Sequence, residues 1–474
     1  MSLAKKAIHG VIWQGLGNYG FQGINFVTDI ILARVLIPEY FGVVALALTI
    51  FNFFKMITGW GINEAMVQFE EEKEEVLSTI FWIQVILAIC FLVISYFALP
   101  VLKIFFSPLV IKIFMILVLV GSFQIVCFFH GALLQKRLQL REDAIVRFIS
   151  IFLSALIGIS GAYLGWEVWA LATYKIFNLF FSAVGYWLVC RWKPTFKFNK
   201  QVAKWYFDFG KNLFLSGNME VIFQRLDKLI IGTLIGAHWL GLYTRAFFLA
   251  ELFPLAVLPA LTRTALPTFA KLKNRPDKLK QAYSLTLGLV FRSSLFFYFL
   301  LGLLIPELIE NLYGKQWVSA AHIFRMLLLF AIIHPLFNIS KIFLHAQGKP
   351  QIVFRARAIA GLFFIPSLFF GVKIWSVNGA ALSLGFTMLI SFLIIFREVV
   401  RDLKIQVLEI FVVPILAGIV SAISGVLIKQ MVTGRAIFLM GFIGLIMILV
   451  YLIFLYLAEK RQLFCYREIL AKGI

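Results

Sequence analysis

The sequence predicts an all-α, polytopic membrane protein of about fourteen transmembrane helices, and three observations carry that prediction. Of its 474 residues, 62% are hydrophobic and only 14% charged, whereas a soluble domain carries about a quarter charged residues. Charge-poor apolar runs long enough for the ~30 Å of a bilayer core recur along nearly the whole chain. The Lys and Arg residues behind a formal net charge of +21 lie mostly in short segments between those runs. That is the pattern of topology-setting charge, not of a basic domain that holds phosphates, so nucleic acid is excluded as a partner. An ordinary soluble enzyme is excluded with it.

The first run follows Lys5 and Lys6 and continues without a small-residue cleavage site, so it reads as a span and not as a signal peptide. Its Gly15, Gly17, Gly20 and Gly23 form a small-residue face suited to close helix packing. The first six spans fall at about 8–33, 41–62, 77–99, 113–135, 148–165 and 168–190. Six more follow at about 212–236, 240–266, 284–306, 320–345, 356–374 and 378–397, and the last two at about 408–428 and 436–458. Pro254, Pro259 and Pro267 should kink the eighth span or its end.

An even number of spans places both termini on one side. With that side cytoplasmic, the cytoplasmic segments and the residues bordering them hold 28 Lys or Arg and the outer loops 7, which orients N- and C-termini towards the cytoplasm. The loops are short, and the largest, around 191–211 and 270–283, are basic. None makes room for a catalytic domain. The acidic stretch from Glu70 to Glu75 interrupts the basic pattern and reads as a solvated loop. Cys90, Cys127, Cys190 and Cys465 show no paired spacing, so neither a disulfide framework nor a metal site is indicated.

An internal repeat is visible. Asp29 is followed by Leu36-Ile37-Pro38-Glu39-Tyr40-Phe41-Gly42, and Asp227 stands in the same relation to Leu234-Ile235-Gly236-Ala237-His238-Trp239-Leu240-Gly241, at an offset of 198 or 199 residues. Six helices fit that interval, so the two copies share one orientation, as in parallel-repeat transporters. The expected organisation is an N-lobe at 1–205, a C-lobe at 206–400, and two appended helices with a tail at 401–474.

Nine cations fall inside predicted spans: Lys55, Lys175, Arg225, Lys228, Arg245, Arg263, Arg292, Arg325 and Lys341. A cation at mid-membrane costs about 2.5–3.5 kcal/mol on insertion scales, so each needs a partner, a wet cavity or an escape to the interface. Lys55, Arg263, Arg325 and Lys341 lie nearest to span ends, where a long side chain escapes. Arg225, Lys228, Arg292, Lys175 and Arg245 lie deeper, and the membrane acids Asp29, Glu220, Asp227 and Glu251 are too few to neutralise all the cations. A cationic surplus implies an anionic guest. Arg225 and Lys228, three residues apart on the seventh span, can grip one diphosphate together, with Glu220 and Gln224 extending the polar stripe. Ion pairing of an Arg with Asp227 or Glu251 is the alternative for each single residue. His334 and His345 read as hydrogen-bonded structural residues.

No Walker loop, GxSxG elbow, HExxH pair or dinucleotide fingerprint occurs in a supporting context, so no cofactor and no catalytic residue is assigned. If transport is driven, an ion gradient acting through Asp29, Asp227 or Glu251 is the simplest coupling.

Four stretches resemble polysaccharide and O-antigen flippases of the multidrug/oligosaccharidyl-lipid/polysaccharide superfamily. They are Ala33-Arg34-Val35-Leu36-Ile37-Pro38-Glu39-Tyr40-Phe41-Gly42, Gly61-Ile62-Asn63-Glu64-Ala65-Met66-Val67-Gln68, Asp227-Lys228-Leu229-Ile230-Ile231-Gly232 with Leu240-Gly241-Leu242-Tyr243, and Asn311-Leu312-Tyr313-Gly314-Lys315-Gln316-Trp317. The resemblance implies a bacterial inner-membrane protein whose cytoplasm-facing cavity loads an undecaprenyl-diphosphate oligosaccharide and releases the glycan outside by alternating access. The partners it implies are that lipid-linked glycan, membrane lipid, and the polymerase and glycosyltransferases that handle the same glycan. A peptidoglycan-precursor flippase, a cation-coupled drug exporter, and an enzyme of another class, a membrane glycan polymerase or ligase, stay open beside it. The cationic surplus argues against the drug exporter and the short outer loops against the enzyme.

The orientation is testable with reporters. A green fluorescent protein fused after Ile474 should fluoresce, while alkaline phosphatase fused there stays inactive and alkaline phosphatase inserted at Lys315 becomes active. The opposite pair of readings would invert the topology.

Overall fold

Apolar side chains in a bilayer leave the backbone no water to bond to, and this chain meets that demand with helices almost throughout. The computed structural model describes residues 3–68, 72–431 and 437–471. Within them the side chains of 3–14, 16, 18, 57, 63, 67–68, 212–213, 215–224, 409, 437–439 and 459–471 lie outside the description.

Two compact units result, Met1–Gly241 and Leu242–Ile474. The first contains α1 (Leu3–Val35), α2 (Pro38–Lys55), the short α3 (Ile62–Gln68), α4 (Glu74–Phe105), α5 (Pro108–Lys136), α6 (Leu140–Tyr163), α7 (Val168–Val189), α8 (Lys200–Leu234) and the first turn of α9 (Ala237–Ala250). The second contains the rest of α9, then α10 (Leu252–Lys271), α11 (Pro276–Leu312), α12 (Ser319–Met326), α13 (Leu328–Ala346), α14 (Pro350–Leu403), α15 (Val407–Met431) and α16 (Ile437–Ala471). In the first unit α6 packs on α1 and α7, and α5 lies against α4 and α7. In the second, α13 packs on α10, α11 and α14, and α15 on α11 and α16. Proline in the first turn starts α2, α5, α11 and α14, where its missing N–H costs nothing.

Among the described residues ten helices are long and apolar enough to cross a membrane. The expected spans map onto the helices one by one, with three adjustments, of which one is that the tenth is divided between α12 and α13 at Leu327. The eleventh and twelfth both lie in α14, which is two helices joined across a kink at Trp375 and Ser376. The eighth is broken in two at Glu251, between α9 and α10. Spans one, two and seven are α1, α2 and α8, which carry Asn25, Asp29, Lys55, Arg225, Asp227 and Lys228.

The break at Glu251 has a local cause. Pro254 has no N–H to offer the carbonyl of Ala250 one turn earlier. The buried Tyr298 donates its hydroxyl to that carbonyl instead, at 2.5 Å. The same device recurs on α11. Pro306 deprives Gly302 of its partner, and Arg325 Nε donates to the Gly302 carbonyl at 3.3 Å. Arg325, expected to reach for the interface, serves the backbone.

The repeat returns as backbone geometry. Between α5 and α6 the residue Leu138 adopts φ 56, and between α13 and α14 Gly348 adopts φ 75. The hydrogen bonds around them match: Gln139 N–H to Leu134 O at 2.9 Å in one, Lys349 N–H to Leu344 O at 2.9 Å in the other. Glu167 before α7 has φ 49 and ψ −125, and Ser376 in the α14 kink has φ 55 and ψ −138. Each follows a Trp and precedes a Val.

The motif found in the sequence also touches itself. A Cβ on Gly42 would overlap the carbonyl of Ala237, and one on Gly241 would overlap the carbonyl of Pro38. The first helical residue in each copy, Pro38 of α2 or Ala237 of α9, thus meets the closing glycine of the other, backbone on backbone, inside the first unit. Only glycine permits that approach.

At the Glu70–Glu75 stretch, Glu72 accepts from Arg137 at 2.8 Å and Glu74 pairs with Lys197 at 3.3 Å. These exposed pairs stitch neighbouring loops together, so the stretch is more than the solvated loop expected; Glu70 and Glu71 lie outside the described residues.

Tyr298→Phe should leave the Ala250 carbonyl bare and lower stability by about 1–3 kcal/mol. Thermal unfolding in detergent checks this, and an unchanged midpoint would mean that the Pro254 break is satisfied in another way.

Candidate functional site

A charge held within a membrane helix is costly, so the partners of each one show what it is for. The first unit holds five of the eight expected site residues: Asp29 on α1, Lys175 on α7, and Arg225, Asp227 and Lys228 on α8. On α8, Asp227 is 1% exposed and its Oδ1 accepts the backbone N–H of Lys228 at 2.7 Å. Arg225 and Lys228 are half-buried. Helical geometry puts those two within one face and Asp227 away from it, so the carboxylate turns into the packing and the two cations towards the more open side. Glu220 and Gln224, expected to continue the stripe, lie outside the described side chains.

Lys175 is positioned through its neighbour. Its ammonium sits 4.3 Å from the centroid of the Tyr174 ring. Tyr174 is fully buried, and its hydroxyl donates to Asn25 Oδ1 at 2.5 Å. The Asn25 amide donates in turn to Phe21 O at 3.1 Å. One turn further along α1 stands Asp29, 7% exposed. The aromatic face offsets part of the cost of desolvating the ammonium and leaves its charge intact.

Lys55 departs from expectation. It was to reach the interface from a span end, but α2 stops at Lys55 and the chain turns through a short 3₁₀ segment, leaving the side chain against α5. Its ammonium donates to Gln124 Oε1 at 2.9 Å and lies 5.7 Å from the Phe51 ring, two neutral partners. The Gln124 amide lies 3.4 Å from Ser182 Oγ on α7. A further embedded cation therefore belongs with the candidates, one that span-end proximity concealed.

The second unit holds Arg245 on α9, Glu251 at the α9–α10 break and Arg292 on α11. Nε and Nη1 of Arg245 are enclosed by protein. The Arg292 carbonyl accepts from the Tyr451 hydroxyl at 2.9 Å, which ties α11 to α16 at that level. Arg263 on α10 is exposed, and so are Thr262, Thr264 and Thr268 around it. Their hydroxyls bond back to their own helix at 2.9, 3.2 and 2.8 Å. A membrane helix with that much exposed polarity suits water or a polar guest better than lipid. His334 stacks on Phe330, with ring centroids 5.1 Å apart.

Among the described residues, no group of three His, Cys, Asp or Glu is placed to hold a metal ion. What the cations can do is replace the water around an anion: ammonium and guanidinium groups donate to phosphate oxygens, and a low-dielectric setting strengthens each bond.

Comparison with known proteins bears on this chemistry. The profile of a family described as polysaccharide biosynthesis protein matches residues 31–322. The succinoglycan biosynthesis transport protein ExoT of Rhizobium meliloti is 30% identical over 320 residues, which cover 67% of this chain and 64% of that protein's length. The teichuronic acid biosynthesis protein TuaB of Bacillus subtilis is 25% identical over 406 residues, 83% of this chain and 82% of that protein. Among solved structures, the lipid II flippase MurJ in an inward closed conformation aligns with a TM-score of 0.77 at 17% identity, covering 95% of this chain and 100% of that one.

Proposed function

The chain belongs to the polysaccharide biosynthesis protein family as a multi-pass membrane protein, and on that premise we propose that it is a flippase for an undecaprenyl-diphosphate-linked oligosaccharide. In this reading it moves the glycan from the cytoplasmic to the outer leaflet of a bacterial inner membrane by alternating access, for surface polysaccharide biosynthesis, and its termini are cytoplasmic. The observation that carries the proposal is the pair Arg225 and Lys228, half-buried on a membrane helix, with Asp227 turned into the packing beside them. ExoT's description as a transport protein supports a transporter over an enzyme.

A lipid diphosphate carries about two negative charges and many acceptor oxygens. Arg225, Lys228, Lys175, Arg245 and Arg292 supply donors for them, while the polyprenyl tail stays in hydrocarbon. Asp29, Asp227 and Glu251 are the carboxylates through which an ion gradient would act.

The test is translocation of a fluorescent polyprenyl-diphosphate sugar in proteoliposomes. Arg225→Ala and Lys228→Ala should each slow it about tenfold or more, since a hydrogen bond to a charged group contributes about 1.5–3 kcal/mol. Arg292→Ala should act in the same direction. Unchanged rates in all three folded variants would reduce these residues to structural ion pairs. Faster transport of a lipid II analogue than of an oligosaccharide carrier would move the assignment to a peptidoglycan-precursor flippase.

A further inference from the structure

The loop between α7 and α8 is fixed in place, yet it presents its most apolar residue outward. Ser78 and Thr195 share a hydroxyl hydrogen bond of 2.8 Å, and the Thr195 N–H donates to Ser78 Oγ at 3.2 Å. Trp82 Nε1–H donates to Thr195 O at 2.9 Å, and the Asn199 N–H to Thr79 Oγ1 at 2.9 Å. Held this way, Phe196 is 94% exposed and stacks flat on Trp82, with centroids 5.3 Å apart and planes at 24°. Trp82 lies within the third expected span, so its stacking partner sits at the depth where hydrocarbon gives way to headgroups.

Around that ring the loop is cationic. Lys197 is engaged with Glu74 at 3.3 Å. Arg191, Lys193, Lys200 and Lys204 are exposed, and among the described residues no carboxylate pairs with them. Phe198, 48% exposed, adds a second apolar contact. An aromatic ring at interfacial depth, flanked in sequence by exposed cations that no described carboxylate pairs with, on a loop hydrogen-bonded to α4, fits a surface of negative charge over hydrocarbon.

We propose that residues 191–204 form a binding surface for anionic phospholipid headgroups, with Phe196 inserted beside the acyl chains and Lys193, Lys200 and Lys204 on the phosphates. The leaflet follows from the cytoplasmic orientation proposed above, whereas the contact itself can be read in detergent without reference to topology or transport.

Native mass spectrometry of the full chain, with phosphatidylglycerol or phosphatidylcholine added, tests this. The wild type should retain phosphatidylglycerol in preference to phosphatidylcholine, less so at high salt. The variant K193Q/K200Q/K204Q should bind phosphatidylglycerol at least about tenfold more weakly, F196A a few-fold more weakly, and K193R/K200R/K204R as the wild type does. Thermal unfolding without added lipid checks that each variant is folded. Equal retention of the two lipids by the wild type, or undiminished phosphatidylglycerol on the glutamine variant, would overturn the proposal and leave this face to an acidic protein partner.

Discussion

A carbonyl oxygen without a donor costs several kcal/mol in hydrocarbon, and that penalty organises this protein more than any single packing contact. Regular helix removes most of it. Where proline interrupts the ladder, a side chain from another helix steps in, Tyr298 at Ala250 and Arg325 at Gly302. Thr262, Thr264 and Thr268 spend their donors on their own helix. Bending of the membrane helices is thus coupled to their packing, since a bend at Pro254 or Pro306 persists only while its donor stays within reach.

The same accounting separates structural charge from the rest. Arg325 is occupied by the backbone, and Lys429 is occupied by Glu307 at 2.7 Å. Lys55 is different, because its described neighbours are an amide and an aromatic ring. Neutral partners lower the cost of keeping an ammonium in the membrane without cancelling its charge, and that suits the anionic guest proposed above. Stability and function then draw on one residue: the interactions that make Lys55 tolerable also fix where its charge is presented.

Much of the architecture is legible in the sequence because bilayer thickness sets span length and cations mark the loops. Helix pairs that the spacing separates, such as 356–374 and 378–397, are present, even though a single kinked helix contains both. Pro254 signals a disturbance, but not that the helix breaks at Glu251, since the break depends on Tyr298, 48 residues beyond the Ala250 carbonyl it serves. Lys55 is misread because distance from a span end says nothing about which way the side chain turns. The repeat is visible at Gly42 and Gly241, where close approach demands one residue type. It is invisible at Leu138 and Gly348, or Glu167 and Ser376, where unlike residues adopt the same left-handed backbone. Of the candidate site, the cations on α8 are legible from charge alone, whereas the buried placement of Asp227 beside them needs the fold.

Those left-handed turns also bear on how far neighbouring helices can drift apart. Only Leu164, Gly165, Trp166 and Glu167 join α6 to α7, a tether of about 14 Å even when fully extended. α6 has 24 residues, so at 1.5 Å per residue it is about 36 Å long. A tether that short keeps the adjoining helix ends at one depth of the membrane, so neither helix can slide along the other by more than a fraction of its own length. The two halves of α14 are bound still more tightly. Each pair therefore behaves as one hairpin, and lengthening either turn should loosen the registry of its two helices.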